Sequence, residues 1–342
     1  MTAGGAFSPR SAPTLAGHVA LPDDLDGLAG GGLRTFLRDA LEEARGPCPP
    51  LGEGRPLLLS GTYVADPPFY GDGDIGQLAA CCAVNELAAA GARPLGLSVS
   101  AVVEAGLPLR QVRRVADSVR DVARAAGVAV LDVDARVVRA GEADQIYLHT
   151  AGLGVLSPGA GQETPPRAGD RLLVSAPLGG FGAHLLSARA GLGHEGVVSA
   201  ACVPLAGLLE QVRGARVGGA LRAVRVVGRA GLSGTLHAYA SATGLGMRVA
   251  EAALPVHYEV RVALDELGVE PVHAATVSCV CLVVAAEAAD DVLAALRAHP
   301  YGRDAAVVGE VTPPGRHPVE LGLAGARTVP VRPAAEPPAR LA

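Results

Sequence analysis

The sequence contains no lysine and no tryptophan, its aromatic content is only 3%, and it has no long uninterrupted apolar run. Each absence excludes something. All 29 basic residues are arginine against 34 acidic ones, the formal net charge is -5, and no polybasic cluster forms, so nucleic acid and anionic membrane surfaces are poor partners. A membrane-spanning helix needs roughly 18 or more consecutive apolar residues, and a signal peptide needs a basic and then an apolar N-terminal stretch. Neither pattern occurs, which predicts a soluble, cytoplasmic protein. The six cysteines lack paired CxxC spacing, which argues against a zinc site or disulfide framework. Cys81 and Cys82 read as small apolar helix residues, and Cys279 and Cys281 as same-face residues of one strand. His149 and His273, in strand-like segments, read as structural histidines.

What the chain does carry is concentrated in residues 69–94, FYGDGDIGQLAACCAVNELAAAGARP. Asp74 can accept the free N–H groups of a helix start, and Gln77 stands where a capping box places its second partner. Gly91 suits a left-handed helix stop. The glycines at 71, 73 and 76 would let backbone amides approach a phosphate, and Asp74 with Glu86, three turns along, could hold a hard cation. Capping alone explains the same aspartate, so the block is ambiguous by itself.

Its surroundings add order. After Pro94, alternating apolar and small residues from Leu95 to Ala101 predict a strand. Leu109, Val112, Ala116, Val119, Ala123 and Ala126 then recur at helical spacing between Pro108 and Gly127, with the arginines mostly outside that stripe. Residues 128–131 predict a short strand leading to Asp132, Asp134 and Arg136, and 145–156 another strand. With 49% hydrophobic residues, 342 residues can bury two domain cores. The Pro- and Gly-rich stretch 157–169 reads as a linker between domains at 28–156 and 170–315. Residues 1–27 read as a loose segment and 316–342 as a tail, irregular beyond Pro313. In the second half, SCVCLVVAA predicts a buried strand, 287–297 a helix and 305–311 a strand.

This order resembles the superfamily of aminoimidazole ribotide synthetase, selenophosphate synthetase, thiamine monophosphate kinase and the hydrogenase maturation factor HypE, with HypE nearest. The resemblance rests on GDGDIGQLAACCAVNELAAAGARPLGLS (71–98), DARVVRAGEADQIYLHTAGLGVL (134–156), ALPVHYEV (253–260) and AHPYGRDAAVVGEV (298–311). It implies a two-domain α/β (α+β) PurM-like fold, with mixed sheets, helices packed on one face and a homodimer formed through the N-terminal domains. It also implies ATP and Mg2+, with nucleotide contacts at Gly73, Asp74, Ile75, Gly76, Asn85, Arg136 and Arg229 and metal ligands at Asp74, Glu86 and Asp134. In such a family a C-terminal cysteine takes a carbamoyl group from HypF. ATP drives loss of its oxygen to leave a thiocyanate, and the cyanide passes through HypC and HypD to the iron of a nickel-iron hydrogenase.

Several positions depart from that pattern. The sequence ends Pro338-Ala339-Arg340-Leu341-Ala342, without the cysteine. Ser60-Gly61-Thr62-Tyr63 stands for a Thr-Asp-Gly-Phe-like segment, and Asp134-Ala135-Arg136 for Asp-Thr-Lys. Residues 226–231 and 275–277 lose acidic positions, and Glu86 replaces the usual aspartate. The expectation is a divergent HypE-like protein of hydrogenase maturation whose activity is uncertain. It either works as an ATP-dependent enzyme that obtains its thiol elsewhere, or serves as a catalytically silent partner or regulator beside HypC, HypD, HypF or a complete HypE. The alternative is an ATP-dependent small-molecule enzyme of another branch of the superfamily.

Overall fold

A computed structural model describes residues 17–19, 30–71, 73–157, 164–200, 202–214 and 219–333. The expected loose segment before residue 28 therefore lies almost wholly outside the described residues, as do residues 158–163 of the linker and residues 334–342.

The first half is built on a four-stranded sheet of order β1-β6-β4-β5, from β1 (Arg55–Tyr63), β4 (Ala92–Glu104), β5 (Ala129–Val138) and β6 (Ile146–Leu156). Only β4 and β5 run parallel. Two short strands, β2 (Phe69–Tyr70) and β3 (Gly73–Asp74), pair beside it. Helices α2 (Ile75–Ala89) and α3 (Leu109–Ala126) cover one face, and α1 (Gly30–Ala40) packs against β5. The predicted α3 stripe is the buried one, and Gly127 ends it at φ 65°. Pro94 does not break the chain before a strand. It lies inside β4 at a register shift against β6, an irregularity where a missing ladder donor is tolerated.

In the second half a seven-stranded sheet runs β13-β12-β9-β11-β7-β10-β8. Its strands are β7 (Arg171–Val174), β8 (Leu221–Val226), β9 (Gly246–Ala250), β10 (Val280–Val284), β11 (Ala306–Thr312), β12 (Val319–Gly322) and β13 (Thr328–Pro330). Helices α4 (Gly180–Ala190), α5 (Ala206–Gly214), α6 (Gly231–Thr243), α7 (Tyr258–Leu267) and α8 (Ala289–Arg297) complete the half. Strand β10 is apolar at every position because both its faces are covered. Cys279 and Cys281 point into one core with Val283, while Val280, Leu282 and Val284 point into the other. Both thiols are free, and burial raises the Cys279 thiol to about 11. The expectation that the chain is irregular beyond Pro313 is corrected: β12 pairs in parallel with β9 and extends the sheet.

Helix α2 joins the halves. It is buried on nearly all sides, since the first sheet and α3 take one side and the second half takes the rest. Phe181, Leu185, Ala200 and Cys202 enter the first core, and Ala88 and Ala89 enter the core of α5 and α8. No described helix is long and apolar enough to cross a membrane.

Candidate active site

Asp74 is fully buried at the N-cap of α2. One carboxylate oxygen accepts from the backbone N–H of Gly76 at 2.8 Å and of Gln77 at 3.1 Å. The other accepts from the Ser118 hydroxyl at 2.6 Å and lies 3.4 Å from Nε of Arg114. Ile75 N–H donates to Pro68 O, and Tyr70 O–H donates to the Asp74 carbonyl. Arg114 reaches back to the carbonyls of Gly71 and Gly73 and stacks over the Phe69 ring at 5.6 Å. Burial holds the Asp74 carboxyl above its ordinary value, while Ser118, Gln77, Gly76 and Arg114 pull it down.

These partners correct the phosphate reading of the glycine turn. The first three N–H groups of α2 are already taken by protein acceptors, so Ile75 and Gly76 have no free N–H for an anion. Gly76 is a packing glycine: a Cβ there would stand 2.4 Å from the Val115 carbonyl oxygen of α3. The capping box is half formed, since Gln77 donates its backbone N–H but its side-chain oxygen has no partner.

The predicted metal ligands do not converge within the chain. Twelve residues of helix separate Asp74 from Glu86, about 18 Å at 1.5 Å per residue. Asp134, on β5, pairs with Arg136 at 3.1 Å and Arg34 at 3.6 Å. Among the described residues no group of three His, Cys, Asp or Glu side chains could hold a metal. Arg136 is exposed and pairs with Asp134.

A different set does meet. Between the two halves lies a cavity of about 420 Å³, lined by Thr62 and Tyr63 of β1, Cys82, Asn85 and Glu86 of α2, Gly228 and Arg229 after β8, and Ser278. Of the predicted residues, Asn85, Glu86 and Arg229 therefore share one cleft. Glu86 is its one lining carboxylate among the described residues. Low-dielectric surroundings raise that carboxyl above its ordinary value, and Arg225 opposes the shift. Burial raises Tyr63 too, with Cys82 next among the causes, and lifts the Cys82 thiol to about 12, with Glu86 adding to the shift. Cys82 and Glu86 are one helical turn apart, so both face the cleft.

Asn85 is less a contact for a ligand than a clasp. Its amide donates to Val203 O at 3.0 Å and accepts from Leu205 N–H at 2.6 Å. Ser278, at φ 57°, bonds both polar atoms of the Val203 backbone. Arg213 of α5 caps the other end of α2, donating to the carbonyls of Ala88 and Ala89 at 2.6 and 3.1 Å. Sequence reasoning missed Tyr63, Cys82, Ser278 and Arg213. Only Cys82 carried a signal, its i, i+4 relation to Glu86.

Two domain models match the chain: AIR synthase related protein, N-terminal domain, over 51–156, and AIR synthase related protein, C-terminal domain, over 167–322. The fold is thus that of the AIR synthase-related, PurM-like two-domain proteins. An Escherichia coli relative, carbamoyl dehydratase HypE, is 38% identical over 295 residues, covering 85% of this chain and 86% of the relative. The crystal structure of E. coli HypE covers 90% of this chain and 98% of its own, with a TM-score of 0.83 at 34% identity. A hydrogenase maturation protein HypE in complex with ATP covers 90% and 94% at TM-score 0.78 and 29% identity. The HypE of a HypE–HypF complex covers 89% and 100% at TM-score 0.77 and 29% identity. The chain belongs to the HypE carbamoyl dehydratase family.

Proposed function

We propose that the chain is an ATP-dependent carbamoyl dehydratase of nickel-iron hydrogenase maturation and that the cleft between its halves is where the carbamoyl group reacts. The observation that carries this reading is the meeting of Glu86, Tyr63 and Arg229 around one cavity. Removing water from a carbamoyl group, –C(O)NH2, takes its oxygen and both N–H protons and leaves C≡N. Oxygen is a poor leaving group until phosphorylated. ATP therefore transfers its terminal phosphoryl group to that oxygen as one N–H proton is lost, and the oxygen then departs as inorganic phosphate while a base receives the second N–H proton. Glu86 is placed for the proton, and Arg229 for the phosphoryl charge. Magnesium typically needs only one or two protein carboxylates beside phosphate and water. The cleft offers Glu86 alone, and no step is assigned to a metal. HypF is the proposed source of the carbamoyl group.

The test is ADP release from ATP and magnesium in the presence of an S-carbamoylated thiol peptide. Glu86→Gln is expected to lower turnover by about 100-fold or more while ATP affinity measured by calorimetry changes little. A base must be deprotonated, so activity should fall as pH drops through the raised Glu86 pKa, at higher pH than for an ordinary glutamate. ATP binding without turnover would favour the silent partner reading. Absence of both at millimolar ATP would remove the enzyme reading.

The homodimer is part of the same proposal. On edge strand β1, Leu58 is 67% exposed and pairs directly with Leu153 of β6, an apolar spot on the sheet face away from α2. Light scattering should give a dimer, and Leu58→Arg should shift it to monomer at micromolar concentration. A monomeric unsubstituted chain would refute this arrangement.

A further inference from the structure

A second cavity, of about 470 Å³, lies at the N-terminal end of α2, where its wall residue Gln77 precedes Glu86 of the cleft by nine positions. Its walls are Gly71 and Gly73, Gln77 at the start of α2, His184 of α4 and residues 195–200 of the second half. That volume lies within the range of small-ligand sites.

Its two unpartnered buried side-chain atoms, His184 Nε2 and the Gln77 oxygen, are both acceptors. His184 is 3% exposed, and its Nδ1 lies 2.7 Å from the Val198 carbonyl oxygen. A carbonyl only accepts, so Nδ1 carries the proton, and in the neutral ring Nε2 presents a bare lone pair. That Nε2 is buried and has no partner, and neither has the buried side-chain oxygen of Gln77. Glu195 adds a carboxylate at the rim, anchored by the Ser187 hydroxyl at 2.9 Å. Hydrogen bonds hold its pKa below the ordinary value, so it is ionised at neutral pH. Buried acceptors left unpaired are rare and costly, which makes two in one cavity informative.

The glycines of the turn stand directly against both buried acceptors. Gly71 sits at φ 50°, and a Cβ there would lie 3.2 Å from His184 Cε1 and 3.6 Å from Nε2. A Cβ at Gly73 would lie 3.0 Å from the Gln77 oxygen. A side chain at either position would crowd an acceptor and take the space a donor would need. Arg114 is not available to fill the gap, since its guanidinium is spent on Asp74 and on the turn carbonyls from the other side.

We infer that this cavity binds a small cationic N–H donor, a guanidinium or primary ammonium group, through His184 Nε2, Gln77 and Glu195. The lining disfavours phosphate, whose oxygens would meet lone pairs, and the inference stands apart from the carbamoyl chemistry of the cleft. Its test uses the full chain and the imidazole ¹⁵N resonances of His184, titrated separately with methylguanidinium, methylammonium and inorganic phosphate. Saturable shifts of Nε2 with one or both cations and none with phosphate are expected. Gln77→Met should weaken cation binding about tenfold, as loss of one charge-assisted hydrogen bond would. Gly71→Ala should weaken it as well, by crowding Nε2. A response to phosphate alone, no response to any probe at millimolar concentration, or undiminished binding in both variants would overturn the inference.

Discussion

Asp74→Ala is expected to cost the protein about 3–4 kcal/mol of its folding stability, a large share of the 5–15 kcal/mol typical of natural domains. Loss of an N-cap carboxylate alone removes about 1–2 kcal/mol. Here the same side chain also accepts from Ser118 and faces Arg114, so its removal strips a partner from a partly buried cation as well. The two effects share one residue and do not simply add. Urea unfolding should show a lowered midpoint with an unchanged slope. Because burial raises the Asp74 pKa in the folded state, the stability it adds by staying protonated is fully present below about pH 3.9, the ordinary value, and is lost as pH rises through the folded pKa. The advantage of the native chain over Asp74→Asn, which cannot ionise, should accordingly shrink as pH rises across that window. An Asp74→Ala protein of native stability would return this residue to the role of nucleotide ligand that its motif first implied.

That outcome separates what the sequence disclosed from what it could not. Helices were legible where local chemistry decides them. Asp74 begins α2, the stripe from Leu109 to Ala123 is buried, and Gly127 closes α3, because caps and 3.6-residue periodicity act within a few positions. The buried strand around Cys281 was legible from its short unbroken apolar run. The function of the signature block was not. A glycine-flanked aspartate reads alike whether its partners are phosphates or Ser118 and Arg114, and those partners come from α3, some forty residues on. Strand β12 was missed because four residues beside a Pro-rich tail carry little periodicity. Its pairing with β9 is a tertiary event. The cleft was half visible: Glu86 and Arg229 were named, but their meeting depends on how the second half sits on α2.

That seating makes Asn85→Asp the second large effect. Asn85 is 1% exposed and uses both ends of its amide, as donor to Val203 O and acceptor from Leu205 N–H, across 118 and 120 positions of sequence. Aspartate matches its shape but replaces the donor by a carboxylate oxygen facing the Val203 carbonyl, which is already an acceptor. A charge buried without a compensating partner costs several kcal/mol, so a loss of about 3–5 kcal/mol is expected near neutral pH. Asn85→Ala leaves one N–H and part of one carbonyl unpaired, a loss of about 2 kcal/mol. Aspartate should therefore be the worse substitution at neutral pH. In acid its protonated form regains a donor for Val203, and the order should reverse. Hydrogen exchange at Leu205 N–H gives the local readout, since opening of this clasp exposes that proton first. Equal effects of the two variants at neutral pH would mean that the clasp is already open in solution. Glu86 follows Asn85 directly on α2, so a broken clasp frees the opposite wall, with Arg229, to move away from the carboxylate. Loss of turnover in Asn85→Asp with ATP affinity retained would tie the spacing of that cleft to catalysis.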